Sequence, residues 1–323
     1  MDAIYKGKAF GSVASTLLNS GFNVNSLRTN DTLLYDEWKR IDTAVLKAYQ
    51  DRLVAAADLQ ARGLVYDIPN GLAKTVLAYQ DMSDVEDAEI SMDGIWRGDR
   101  DRPEFSINYL PLPIIHKDFS FTARELAESR NGNMPLDTSM AELAARKVAE
   151  KVEDILLTGA SSYNFGGGTL YGYLDFPHTN SISLTANWDA SGASGTTILD
   201  DVLTMKQALI TDRCYGPYIL YVPTAYERVL DDDFKANSDK TIRQRLLEIG
   251  NVEAVKVVDH LTANRPVLVQ MSSDVVRLVN AMNITTVQWD SEGGMKTNFK
   301  VMAIQVPQIR ADQNNRCGVV YGS

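Results

Sequence analysis

The chain has 323 residues, enough for one large domain or two modest ones with a sizeable buried core. Its apolar fraction of 45% excludes disorder over the whole length, and no stretch approaches the ~20 apolar residues that span a bilayer. With 42 acidic against 32 basic side chains, the net charge of −10 has the wrong sign for a protein that grips nucleic acid by its phosphates, although a wall enclosing that polymer can well be acidic.

Residues 1–34 are rich in Ser, Asn and Gly with scattered apolar positions, and read as an arm without a core of its own. They begin MDAIYKGKAFGS, without the apolar run of a signal peptide. Fully extended, this segment reaches roughly 110 Å. A compact body has a radius of gyration of about 19 Å, so the arm can cross a neighbouring molecule; a frayed tail fits the composition equally well.

From Leu34 to Arg62 the pattern turns helical, with Trp38, Ile41, Ala44, Val45 and Ala48 at three-four spacing and Gly63 and Pro69-Asn70-Gly71 marking its end. The period then changes to two. Ala88, Ile90 and Met92 alternate with polar residues, as do Phe105, Ile107 and Tyr109 beyond a polar tip from Gly94 to Glu104. This predicts a long β-hairpin with arms of about 25–30 Å. Such a hairpin is marginal alone in water and needs a surface to lie on, its own domain or a neighbour's. Its tip carries Trp96, Arg97, Asp99, Arg100, Asp101, Arg102 and Glu104, mixed charge that suits reciprocal ion pairing or simple solvation.

One strong helix follows over 139–158. Ser139 and Glu142 have the spacing of a capping box. Met140, Leu143, Ala144, Val148, Val152, Ile155 and Leu156 form an apolar stripe, and Gly159 is a natural C-cap. Beyond the glycines at 166–168 and 192–195, helices at Ile198–Thr211 and Thr241–Ile249 alternate with strands at Tyr218–Val222, Val252–Val258, Pro266–Met271 and Ile284–Trp289. This predicts a compact α/β unit over 196–289. Phe299–Val306 and Gly318–Tyr321 are strand-like and must pair with something earlier.

Motifs for chemistry are sparse. His116, His178 and His260 stand outside any H-E-x-x-H or His-x-His pattern. Cys214 and Cys317 lack CxxC spacing, and point to synthesis in a reducing cytosol. No G-x-S-x-G elbow is present, and no Gly-Lys-Ser/Thr follows the glycines near 166, so that stretch reads as a turn. The acids Asp81, Asp84, Glu86, Asp87, Glu89 and Asp93 lack calcium-loop spacing and read as solvated charge. The expectation is a non-enzyme with no cofactor and no bound metal.

From Trp38 onward, the order of signals resembles the encapsulin shell proteins and the capsid proteins of tailed bacteriophages, which share the Hong Kong 97-type capsid fold. Trp38, Ile41 and Asp42 resemble the Trp-x-x-Ile-Asp pattern of the amino-terminal helix in that group, and Asp67 to Gly71 the turn after it. Phe119-Ser120-Phe121 through Glu125, Leu126 and Arg130 resemble the lead-in to their spine helix. Asp137, Glu142, Glu153, Asp154 and Gly159 resemble its acidic positions and glycine, and Gly172 the small residue of the loop beyond.

The resemblance covers residues 35–175, the remainder only by architecture. It implies an α+β fold in parts: an arm (1–34), an amino-terminal helix and turn (35–77), and an extended hairpin loop (78–118). It further implies a peripheral domain (119–195 and 290–323) built on the spine helix (139–158), and an axial domain (196–289). The implied function is self-assembly of hexamers and pentamers into the icosahedral head of a tailed phage. That head would form in the host cytoplasm and enclose DNA without sequence-specific contacts, with separate scaffolding and portal proteins and a decoration protein as further partners and no membrane. An encapsulin nanocompartment around a cargo enzyme is the alternative, and a soluble α/β enzyme a distant one. Trp38, Ile90, Met92, Trp96, Arg97, Asp99, Arg100, Arg102, Phe105, Ile107, Glu142, Glu153 and Asp154 are the candidate subunit contacts.

Overall fold

The computed structural model describes residues 35–50, 53–82, 92, 105–131, 138–190, 193–235, 239–262, 264–312 and 314–323. The opening helical pattern forms two helices, α1 (Tyr35–Gln50) and α2 (Ala55–Ala61), rather than the single one expected. The restart has a physical cause. The Glu153 carboxylate accepts N–H bonds from Val54 at 3.2 Å, Ala55 at 2.6 Å and Ala56 at 3.2 Å, satisfying the orphan donors of a new first turn. Gly63, at φ +69°, closes α2 while Leu64 N–H returns to Leu59 O at 2.8 Å.

Strand β1 (Val65–Asp67) leads to the hairpin of β2 (Val76–Met82) and β3 (Phe105–Pro111), in antiparallel register from Val76↔Pro111 to Met82↔Phe105. Residues 88 and 90 of the expected first arm lie outside the described residues. The hairpin also ends earlier than expected, because Ile115–Asp118 begin β4 (Ile115–Thr122), which pairs elsewhere.

After α3 (Ala123–Asn131) comes the spine helix, α4 (Ser139–Leu157), within one residue of its expected limits. Its buried face is Ala141, Ala144, Ala145, Val148, Ala149, Val152, Ile155 and Leu156, and the alanines let α1 and the sheet below approach closely. Met140 and Leu143 were expected in that stripe, but both are exposed. The expected capping box is also not formed. The N-cap residue is Thr138, whose helical backbone does not aim its hydroxyl at the first-turn amides; the hydroxyl donates instead to Glu142 Oε1 at 3.1 Å.

Gly159 ends α4 at φ +83°, in a space that a side chain would have to share with the Asp175 carboxylate. That carboxylate accepts from Gly172 N–H at 2.6 Å and Ser161 N–H at 3.0 Å. A Cβ on Gly172 would come within 2.4 Å of Gly159 N, which accounts for a small residue there. The glycines near 166 form a tight turn between β5 (Ala160–Phe165) and β6 (Gly168–Leu170), with Gly166 and Gly167 at φ +61° and +82°.

The remaining elements are β7 (Asn180–Ile182), α5 (Gly195–Thr211), β8 (Tyr218–Pro223), α6 (Glu227–Leu230), α7 (Ile242–Leu247), β9 (Val252–Val258), β10 (Val267–Gln270), β11 (Val276–Ser291), β12 (Lys296–Ile309) and β13 (Val319–Gly322). Thr241 and Gln244 form a reciprocal capping box on α7.

Among the described residues these strands build a four-stranded sheet, β1-β11-β12-β4, and a five-stranded sheet, β7-β13-β10-β8-β9. This corrects two boundaries. Residues 276–289 fall inside the expected 196–289 unit, yet β11 pairs with β12 from Val276↔Ile309 to Ser291↔Lys296 and so belongs to the first sheet. Conversely, β13, expected with the spine helix, sits in the second sheet between β7 and β10.

The spine helix lies on the first sheet, over Phe119, Phe121 and Phe299; the rings of Phe119 and Phe299 stack at 5.0 Å. Strand β8 is buried on both faces: Ile219 and Tyr221 join the core shared with α4, whereas Tyr218, Leu220 and Val222 join a second core under α5 and α7. Asp58 of α2 bridges the layers, accepting from Tyr221 Oη at 3.0 Å and pairing with Lys256 of β9.

Candidate assembly interface

Among its described side chains, the β2–β3 hairpin is covered at its root and on the face of Leu77 and Tyr79, which pack partly buried on the core. Leu110 and Pro111 are buried, and the backbone there packs on the neighbouring turn: a Cβ on Gly168 would lie 2.1 Å from Tyr109 O, and one on Gly166 would lie 2.5 Å from Val76 Cγ2. The opposite face opens to solvent. Ile107 is 54% exposed and Tyr109 44%; on β5, Tyr163 and Phe165 are also exposed, the latter 50%. Met92 is fully exposed. Single exposed apolar side chains are ordinary, whereas here several lie exposed on the hairpin and the adjoining β5, the kind of surface a partner can cover.

Other candidate contacts fall variously. Met140 and Leu143 project from the first turn of α4. Glu142 is half-buried and takes the Thr138 hydroxyl. Asp154 stays on its own helix, accepting from Lys151 Nζ at 2.7 Å and from Thr158 Oγ1 at 2.8 Å. Glu153 is a correction: at 2% exposure, with its oxygens committed to α2, it has nothing to offer a neighbour. Burial raises its pKa, the α2 amides oppose that, and the Asp58 charge adds to it. Ile90, Trp96, Arg97, Asp99, Arg100 and Arg102, and the side chains of Trp38 and Phe105, lie outside the described residues.

The exposed Tyr163, Phe165, Met140 and Leu143 were not singled out as contacts from sequence. An alanine-rich buried arc on α4 was the available sign that Met140 and Leu143 face outward.

A groove of about 770 Å³ runs between α1, the turn at 67–70 and the middle of β11, lined by Asp42, Leu46, Tyr49, Ile68, Asn280 and Gln305. Its floor is ordered by Tyr49 Oη donating to Gln305 Oε1 at 2.6 Å and by Asn280 Nδ2 donating to Asp67 Oδ1 at 2.7 Å. Burial raises the Asp42 carboxyl above its ordinary value.

The groups suited to covalent chemistry are poorly placed for it. Burial and two nearby aspartates push the Cys214 thiol up to about 11, and burial, with Cys214 and Asp212 close by, pushes Cys317 to about 12, so both stay protonated. His116 faces Asp118 across 3.4 Å of exposed strand. Among the described residues no three His, Cys, Asp or Glu side chains are grouped to hold a metal ion.

Known proteins share this fold. Over 202 residues the chain is 23% identical to the Type 1 encapsulin shell protein EncA of Myxococcus xanthus, covering 60% of this chain and 62% of that relative's length. The solved virus-like particle from Pyrococcus furiosus matches at a TM-score of 0.64 and 16% identity, over 90% of this chain and 99% of that one. The capsid of Myoviridae Phage XM1 matches at 0.62 and 11%, over 81% and 90%. The α+β architecture is thus the Hong Kong 97-type capsid fold, as the resemblance implied. A family model matches residues 28–322, and the chain belongs to that family, DUF6260, a family of unknown function.

Proposed function

We propose that this chain is the wall subunit of a closed icosahedral shell, the head of a tailed bacteriophage. The observation that carries the reading is the hairpin: a two-stranded ribbon with Ile107 and Tyr109 uncovered, which among the described residues joins neither of the two larger sheets. A ribbon of that kind gains stability by lying on another molecule. Repetition of one such head-to-tail contact closes rings, here hexamers and pentamers. Obligate contacts of this class bury roughly 2,000–5,000 Å², and at ~25 cal/mol per Å² of apolar area modest contacts become collectively irreversible.

In this reading residues 1–34 are the arm, the unit on α4 and the first sheet is peripheral, and the second sheet with α5 and α7 is axial. The subunit acts by assembly and performs no catalysis. Its charge of −10 suits an enclosure that does not hold DNA by sequence or by phosphate. Separate scaffolding, portal and decoration proteins complete the head, which is assembled in the bacterial cytoplasm and becomes part of the virion.

Negative-stain microscopy of the purified full chain tests the reading: shells tens of nanometres across are expected, and a compact monomer with the hairpin folded on its own body refutes it. Deleting residues 2–34 should leave folded subunits that fail to close shells, and normal particles from that deletion refute the arm's role. The groove along α1 favours a second reading, an encapsulin whose inner face captures a cargo enzyme. An enzyme co-purifying inside particles would support it, and packaged DNA would oppose it.

A further inference from the structure

At one end of the first sheet, more hydrogen-bond donors gather than there are acceptors to take them. Arg277 on β11 stands opposite Gln308 on β12, and its Nε donates to Gln308 Oε1 at 2.6 Å. That bond fixes the amide's orientation, since only its oxygen accepts. Gln308 Nε2, on a side chain 1% exposed, is left with no partner. Arg310, one residue past β12, has a buried Nε that is likewise unpartnered. Among the described residues neither guanidinium forms an ion pair.

Two tyrosines flank the cations, Tyr66 with its ring centroid 4.4 Å from the Arg277 guanidinium and Tyr79 with its own 5.8 Å from that of Arg310. Burial first, and then the charge of Arg310, lower the pKa of Arg277 from its ordinary value. Both arginines remain half-buried, so an incoming group can reach them. Two neighbouring cations and an orphan amide donor in a partly desolvated site are complementary to one planar oxyanion, which two guanidinium forks can share.

We propose that Arg277, Arg310 and Gln308 receive a carboxylate carried by a second copy of this chain. The inference rests on the shell reading and names one contact of that assembly. A wall of identical subunits, each with net charge −10, offers a surplus of carboxylates and repels a polyanion such as nucleic acid. Covering the site with another subunit strengthens the pairing by excluding water.

The full chain is compared with R277Q/R310Q and R277K/R310K. The dissociated Gln variant should keep the wild-type circular dichroism and thermal midpoint, while its particles appear only at about tenfold or higher subunit concentration. Its onset should also lose much of the salt sensitivity seen in wild type. The Lys variant, which keeps charge but not the fork, should fall between the two and serves as the readout if the Gln variant misfolds. Wild-type onset and salt response in the Gln variant, or in the Lys variant where that is the readout, overturn the proposal. So do variant shells that form normally but hold less nucleic acid, which would assign the site to phosphate. Wild-type chain that forms no particles overturns the shell reading itself and this contact with it.

Discussion

The spine helix and the β2–β3 hairpin solve the same problem in opposite ways. Helix α4 buries a continuous face from Ala141 to Leu157 against α1 and the first sheet, entirely within its own subunit. The hairpin pairs its backbone from Val76 to Pro111 but leaves Ile107 and Tyr109 in water. A mutation in α4 should therefore register as lost subunit stability. A mutation in the outer hairpin should leave the subunit intact and register in assembly.

The sharpest test on the helix side is Glu153→Ala. It strands the N–H groups of Ala55 and Ala56 and should cost about 3–4 kcal/mol, read from the urea midpoint of the dissociated subunit. Next is Gly172→Ala, whose Cβ must displace Gly159 N and Ile155 O; about 2–3 kcal/mol is expected in the same assay.

A smaller effect concerns pH. The folded pKa of Glu153 lies above its ordinary 4.5, so the folded state binds more protons. The contribution of this group to stability is greatest below pH 4.5 and falls as pH rises through the folded value. Glu153→Gln should flatten that slope, and an unchanged slope would show that other groups set it. The smallest expected change in stability is from Ile107→Asp with Tyr109→Asp, within about 0.5 kcal/mol, yet light scattering should show no particles. A large loss of subunit stability in that pair would mean that the hairpin belongs to its own subunit's fold, and would break the contrast.

The helix was legible in the sequence because its evidence is local: a 3.6-residue stripe and a glycine at the end. Its first turn misled, because Ser139 and Glu142 have capping-box spacing while the backbone at Thr138 was not visible in that pattern. Sheet membership was not legible. Alternation along 284–289 is equally good for either sheet, and only the long pairing of β11 with β12 decides between them. The role of Glu153 was hidden for a related reason: the amides it satisfies lie 97 to 99 residues earlier. Of the proposed interface, period two pointed to Ile107, whereas Tyr163-Asn164-Phe165 alternates over too few residues to stand out.

Strand β13 follows every other described strand in the sequence, yet it lies inside the second sheet, hydrogen-bonded to β10 on one side and β7 on the other. Without Val319–Gly322 in place, β7 has no strand to join and β10 keeps an open edge. The second layer is therefore completed by a late segment of the sequence, and damage confined to Val319–Gly322 would open two strand edges at once.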